Sequence, residues 1–123
     1  DTLLETSDIV SVHAPLDENT KDLMNEDAFA KMKKTAIFLN LGRGPIVVEQ
    51  ALADALQNGQ IAAAGLDVLA VEPMREDNPL RLIKDSEKLL ITPHIGWASV
   101  EARTRLMHTI VGQIREFFEK EEL

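Results

Sequence analysis

An α/β fold on a mainly parallel sheet is predicted by three features of the sequence. Four short runs of strand character are present, the first three separated by segments with helical signals, an alternation that calls for crossover units between parallel strands. One run, Thr35 to Leu41 (TAIFLNL), is apolar almost throughout instead of alternating, the pattern of a strand covered on both faces. Three of the four runs also stop at a proline or a glycine turn.

The elements follow in order. Asp1 to Ser7 (DTLLETS) carries neither an initiator Met nor a turn signal and reads as the tail of a helix begun upstream, the alternative being a processed or tagged terminus. Asp8 to His13 (DIVSVH) is β-branched and closed by Pro15, a first strand. A helix comes next, with Asn25 as its cap, Glu26 and Asp27 in its first turn and Lys31, Lys33 and Lys34 at its end, in the charge order that suits the helix dipole. Thr35 to Leu41 is the second strand, stopped by Gly42-Arg43-Gly44-Pro45. A second helix is predicted from about Val48 to Asn58, with Gly59 ending it in the left-handed conformation. Ile61 to Val68 (IAAAGLDV) is the third strand, its small residues suiting close helix packing. Leu69 to Ser86 is acidic, contains Pro73 and Pro79, and reads as a long irregular surface loop. Leu89 to Thr92 (LLIT) is a fourth strand, ended by Pro93. From Ser99, a stripe through Leu106, Met107, Ile110, Val111, Ile114, Phe117 and Phe118 keeps helical spacing nearly to the end.

Composition narrows the function classes. With 123 residues, one domain is expected. The absence of cysteine removes disulfides, thiolate metal sites and cysteine nucleophiles, and fits a reducing cytoplasm. No metal is expected. A net charge of −8 without a basic stripe argues against nucleic acid as a partner. No apolar run approaches the roughly 18 residues that cross a bilayer, so no membrane partner is expected.

In parallel α/β sheets, ligands bind beyond the carboxyl ends of the strands. Those positions hold His13, Arg43, Asp67, Glu72 and His94. Singly, each has a bland reading as a solvated loop residue or a packing residue; the shared edge raises them as a set. A guanidinium matches a carboxylate through two parallel hydrogen bonds, so Arg43 could hold an organic acid. An imidazole titrates near neutrality, and a neighbouring carboxylate favours its charged form. Glu72 beside His94 would then tune a general acid/base that takes a hydroxyl proton as hydride leaves the adjacent carbon.

Four segments, SDIVSVHAPLDENTKDLM, MKKTAIFLNLGRGPIV, ALQNGQIAAAGLDVLAVEP and LLITPHIGWAS, resemble in order and spacing the second half of the D-isomer-specific 2-hydroxyacid dehydrogenases over nearly the whole chain. The resemblance implies that residues 1–123 are the second half of a Rossmann-type doubly wound sheet plus a long C-terminal helix, part of an NAD(P)-binding domain. It implies Arg43 for the substrate carboxylate, Glu72 for orienting the histidine, and His94 as acid/base. For the cofactor, NAD or NADP, it implies Asp67 at the nicotinamide carboxamide, backbone at Leu41, Gly42 and Arg43 and from His94 through Gly96 to Trp97, and His13, Pro15 and Thr20 toward the adenosine and phosphate end. TPHIGWAS looks like members that reduce hydroxypyruvate or glyoxylate, or oxidise glycerate, although Trp97 reads equally well as packing at a helix start. Glu72 argues against the formate-oxidising branch, which carries Gln there.

Two departures stand out. Val48 occupies the position where members of the family usually cap a helix with an acidic residue, at a cost of about 1 kcal/mol, with Glu49 substituting in part through the dipole. No G-x-G-x-x-G occurs in the 123 residues, so the pyrophosphate cradle is absent from them, as is the family's substrate domain. The expectation is a fragment that does not turn over a 2-hydroxy/2-oxo acid alone. Without the cradle strand, the Asp8 to His13 strand would be an exposed edge, which predicts a homodimer or a swapped assembly through that edge. A cofactor-sensing, corepressor-like interaction protein of the same fold and an isolated non-catalytic half-domain are the competing readings.

Overall fold

The computed structural model describes residues 1–121. They form α1 (Thr2–Thr6), β1 (Ile9–Val12), α2 (Glu26–Ala30), β2 (Ile37–Asn40), α3 (Glu49–Gln57), β3 (Ala63–Leu66), β4 (Leu89–Ile91) and α4 (Val100–Glu121). Short 3₁₀ turns lie at Gly44–Ile46 and Pro79–Leu82. Two compact units result, one from Asp1 to Pro93 that holds the whole sheet, and one from His94 onward that holds α4.

All strands of the first unit run parallel in the order β1-β2-β3-β4, with Ile9 opposite Ile37, Ile37 opposite Ala63 and Ala64 opposite Leu89. The four predicted strands are all present, and β1 is an edge strand, as expected. Parallel pairing brings every carboxyl end to one edge of the sheet. Val10, Val12, Phe38, Ala64 and Leu66 alternate onto the covered face, where Phe38 meets Phe29 of α2 edge-to-face at 5.2 Å, and Leu52 and Leu56 of α3 are fully buried in the same core.

The expectation that Thr35 to Leu41 is covered on both faces is not met. Ile37 is 39% exposed and Leu39 half-buried, because the core built with α2 and α3 closes over the Phe38 face. An apolar run reports the residues available for burial, not whether a second layer reaches them.

Helix ends follow local chemistry. The Asn25 side chain accepts from Ala28 N at 3.1 Å, the expected cap. The lysines after α2 do not serve its last turn, since the helix is only five residues long. Lys31 Nζ instead reaches Asp1 Oδ1 at 2.6 Å and Lys33 Nζ reaches Asp8 Oδ1 at 2.9 Å. At the start of α3, Val48 offers no side-chain cap. At its end Gly59 takes φ +67° and Gln60 N donates to Ala55 O at 2.9 Å, which closes the helix in a Schellman arrangement.

Residues 69–86 correct the picture of an irregular surface loop. They include the 3₁₀ turn, and Asn78 and Leu80 are buried. Asn78 Oδ1 accepts from Leu80 N at 2.9 Å, which caps the turn and sets Leu80 into the core. In the second unit, Ser99 Oγ accepts from Ala102 N at 3.2 Å, and α4 carries the predicted stripe with Leu106, Met107, Ile114, Phe117 and Phe118 exposed.

Candidate active site

The carboxyl edge of the first unit presents His13 after β1, Leu41-Gly42-Arg43 after β2, Asp67 after β3 and Thr92 after β4. The β2 turn owes its shape to a residue that the sequence reading did not single out. Asn40 is 1% exposed; its Oδ1 accepts from Gly42 N at 3.1 Å and its Nδ2 donates to Arg43 O at 3.0 Å. A buried amide has to satisfy both ends, and here it does so by fixing the two residues that follow. The Arg43 side chain, exposed beyond them, donates from Nη1 to Gly42 O at 2.9 Å. Among the described residues no ion pair engages it.

The β1 and β2 loops lie against each other. A Cβ on Gly42 would stand 3.0 Å from Ala14 O, so the absence of a side chain there permits the approach. Beside this contact is an open cavity of about 570 Å³ lined by His13, Pro15, Leu41, Gly42 and Arg43 together with Ala14 and Leu16. Its size is that of ordinary small-molecule sites. Four of the residues expected to hold cofactor thus share one concavity with the arginine. Thr20 does not line it: its hydroxyl donates to Pro15 O at 2.7 Å and accepts from Asp17 N at 2.8 Å, so it shapes the loop that carries Pro15. His13 Nε2 lies 2.7 Å from Ser11 Oγ.

Asp67 is buried, and Thr92 Oγ1 donates to its Oδ1 at 2.5 Å. Its own N–H donates to Asn40 O at 3.0 Å. The residue is therefore held between the ends of β2 and β4, its backbone by Asn40 and its carboxylate by Thr92.

Glu72 is exposed and accepts from Leu69 N at 2.9 Å through Oε1. Its loop is fastened to the arginine turn, because a Cβ on Gly44 would fall 1.9 Å from the Leu69 carbonyl. Two backbones meet here at a distance only glycine allows. Glu49 adds a second tie, accepting from Ala70 N at 2.9 Å and from Asn78 Nδ2 at 2.8 Å. The sequence reading gave Glu49 a helix-dipole role; its two oxygens are engaged by the 69–78 loop.

His94 opens the second unit, half-buried and with φ +57°, a conformation few non-glycine residues adopt. Trp97 Nε1 donates to His94 O at 3.0 Å, and Ala98 N donates to Ile95 O at 2.9 Å. The Trp97 ring is 57% exposed, so its indole is not core packing within that unit. Gly96 lies in the same turn, between His94 and Trp97.

At the strand ends the first unit thus presents an open cavity with an arginine on its wall, a glycine that lets the β1 and β2 loops meet, and, after β3, a buried carboxylate bonded to Thr92. A glycine-rich phosphate cradle is not among the 123 residues of the chain.

Comparison with known proteins identifies the family. Residues 1–96 match the family model described as D-isomer specific 2-hydroxyacid dehydrogenase, NAD binding domain. A hydroxypyruvate reductase of Blautia hydrogenotrophica is 49% identical over 117 residues, covering 95% of this chain and 35% of the relative. Among solved structures, an acyclic imino acid reductase in complex with NADPH and D-Arg superposes with a TM-score of 0.86 at 32% identity, over 97% of this chain and 37% of that one. The NAD-complexed D-isomer specific 2-hydroxyacid dehydrogenase of Lactobacillus delbrueckii ssp. bulgaricus gives a TM-score of 0.72 at 33% identity, over 82% of this chain and 34% of that one. The chain spans about a third of the length of the curated relatives it matches.

Proposed function

Because the chain belongs to the NAD binding domain of the D-isomer specific 2-hydroxyacid dehydrogenases, we propose that it supplies the substrate-facing half of a site for hydride transfer between a nicotinamide cofactor and a small 2-hydroxy or 2-oxo acid. Hydroxypyruvate or glyoxylate is the proposed substrate, supported by the TPHIGWAS segment and by relatives named for those reductions. The observation that carries the reading is the Arg43 turn, braced by Asn40 and opening on the cavity at the strand ends.

The nicotinamide, NAD or NADP, supplies or accepts the hydride when bound. Arg43 holds the substrate carboxylate by its planar fork, which aligns the neighbouring carbonyl carbon. His94 delivers a proton to the carbonyl oxygen on reduction and takes it back on oxidation. Glu72 is the acid that orients that imidazole in this reading. Asp67, braced by Thr92, receives the carboxamide, while Leu41, Gly42, Gly96 and Trp97 line the ring side. His13, Pro15 and the loop shaped by Thr20 face the adenosine and phosphate end.

The 123 residues by themselves are expected to be inactive, lacking a phosphate cradle. The test is to extend the reading frame upstream of Asp1 and assay reduction of hydroxypyruvate, glyoxylate and pyruvate. Arg43→Lys should raise KM for the oxo acid, roughly ten- to a hundredfold for loss of a bidentate contact, and His94→Ala should abolish turnover. An extended protein inert toward all three acids would falsify the assignment.

Association of two copies through β1 is part of the same proposal. β1 ends the sheet, and Ile9 on it is 60% exposed, which leaves an apolar edge open to a second strand. Sedimentation of the 123-residue chain showing monomer alone at high concentration refutes it. A cysteine-free composition supports a reducing compartment, the cytoplasm. No helix among the described residues is long and apolar enough to cross a membrane.

A further inference from the structure

We propose that Glu49 is a positioning residue for Glu72: it clamps the loop that carries Glu72 against the turn that carries Arg43. The inference rests on the reading of Glu72 as the acid that acts on the catalytic imidazole. Glu49 is the first residue of α3, five positions after Gly44, and both of its oxygens are engaged by a segment more than twenty residues away.

The geometry calls for a carboxylate. Ala70 N–H and the Asn78 side-chain amide each need an acceptor, at 2.9 and 2.8 Å, and a carboxylate offers one oxygen to each. Glutamine has one acceptor oxygen, and its NH₂ would face a donor. Asn78 is itself buried and passes the restraint on, since its Oδ1 caps the turn that seats Leu80 in the core. Ala70 follows Leu69, whose carbonyl lies where a Gly44 side chain would be. Leu69 N is in turn the donor to Glu72 Oε1 at 2.9 Å. A short path therefore runs from Glu49 through Ala70 and Leu69 to the Glu72 carboxylate, and through Gly44 to Arg43. Contact at Gly44 limits how near the loop can come; the Glu49 bonds stop it from leaving. Neither tie alone sets where Glu72 stands.

Two measurements test this. In the 123-residue chain, Glu49→Ala and Glu49→Gln are followed by amide hydrogen exchange, with Phe38 and Leu52 amides reporting that the core is intact. Exchange at Ala70 should accelerate roughly ten- to a hundredfold in Glu49→Ala, as expected for loss of a bond to a charged acceptor, and the Asn78 side-chain amide resonances should shift in both variants. In the upstream-extended protein, the imidazole limb of the kcat/KM pH profile should move in Glu49→Gln in the same direction as in Glu72→Gln, by a smaller amount. Unchanged exchange at Ala70 and unchanged Asn78 resonances in Glu49→Ala overturn the clamp. A limb that moves in Glu72→Gln but not in Glu49→Gln overturns the positioning role. A limb that moves in neither overturns the reading of Glu72, and the positioning role with it, while the exchange data still judge the clamp.

Discussion

Gly44→Ala tests the contact that joins the two loops of the site. The added Cβ would meet the Leu69 carbonyl carbon and oxygen at 1.9 Å and Ala70 N at 2.4 Å, and both are backbone, so no rotamer change relieves the clash. Restoring even 3.0 Å to the carbonyl requires the 69–70 segment to retreat by about 1 Å. That displacement stretches the 2.9 Å bond from Ala70 N to Glu49 beyond useful length. Overpacking costs about 1–3 kcal/mol and loss of a bond to a charged acceptor about 1.5–3 kcal/mol, and because the retreat relieves part of the first at the expense of the second, a total of about 3 kcal/mol is expected. For a chain of this size such a loss lowers the melting temperature by roughly 9–15 °C. Gly59→Ala is the control. No atom lies within 4 Å of its would-be Cβ, so only the φ of +67° opposes the change, at about 1 kcal/mol. Urea and thermal unfolding of the 123-residue chain, followed by circular dichroism, read both. Equal midpoints for the two variants would refute the steric argument.

Other perturbations follow from single contacts. Val48→Asp should stabilise the chain by about 1 kcal/mol in urea unfolding, since Val48 has the extended backbone of a helix cap (φ −77°, ψ 100°) and no side chain able to accept from the first turn of α3. Asn40→Ala removes the partners of Gly42 N and Arg43 O and should cost about 2–3 kcal/mol, with broadened Gly42 and Arg43 amide resonances. Asp1→Asn loosens an ion pair whose two side chains are 40% and 70% exposed; the midpoint should shift by less than the equivalent of about 1 kcal/mol.

Much of the site could be read from the order of residues. The Gly42-Arg43-Gly44-Pro45 stop placed Arg43 after a strand, and the first unit has it there, lining the cavity with His13 and Pro15. Asn40 was missed, although an amide that closes an apolar strand just before a glycine turn is a setting in which Asn characteristically bonds the backbone two residues on. Thr92 carried no such mark. Its partner Asp67 lies twenty-five positions earlier, and only strand pairing brings the two together.

The sequence alone determined whatever depends on neighbours within a turn or two: the alternation of strand and helix, the Asn25 cap, the left-handed Gly59, and the strand-end positions of His13, Arg43 and Asp67. These features obey short-range sterics and hydrogen bonding, which are local in the chain. Tertiary structure decided which face of β2 is covered, why Lys31 and Lys33 turn from their helix to Asp1 and Asp8, and why Glu49 serves a distant loop instead of the helix it begins. Each of those outcomes is a competition among partners twenty or more residues apart, and for Glu49 the approach of the distant loop is allowed by the missing side chain of Gly44.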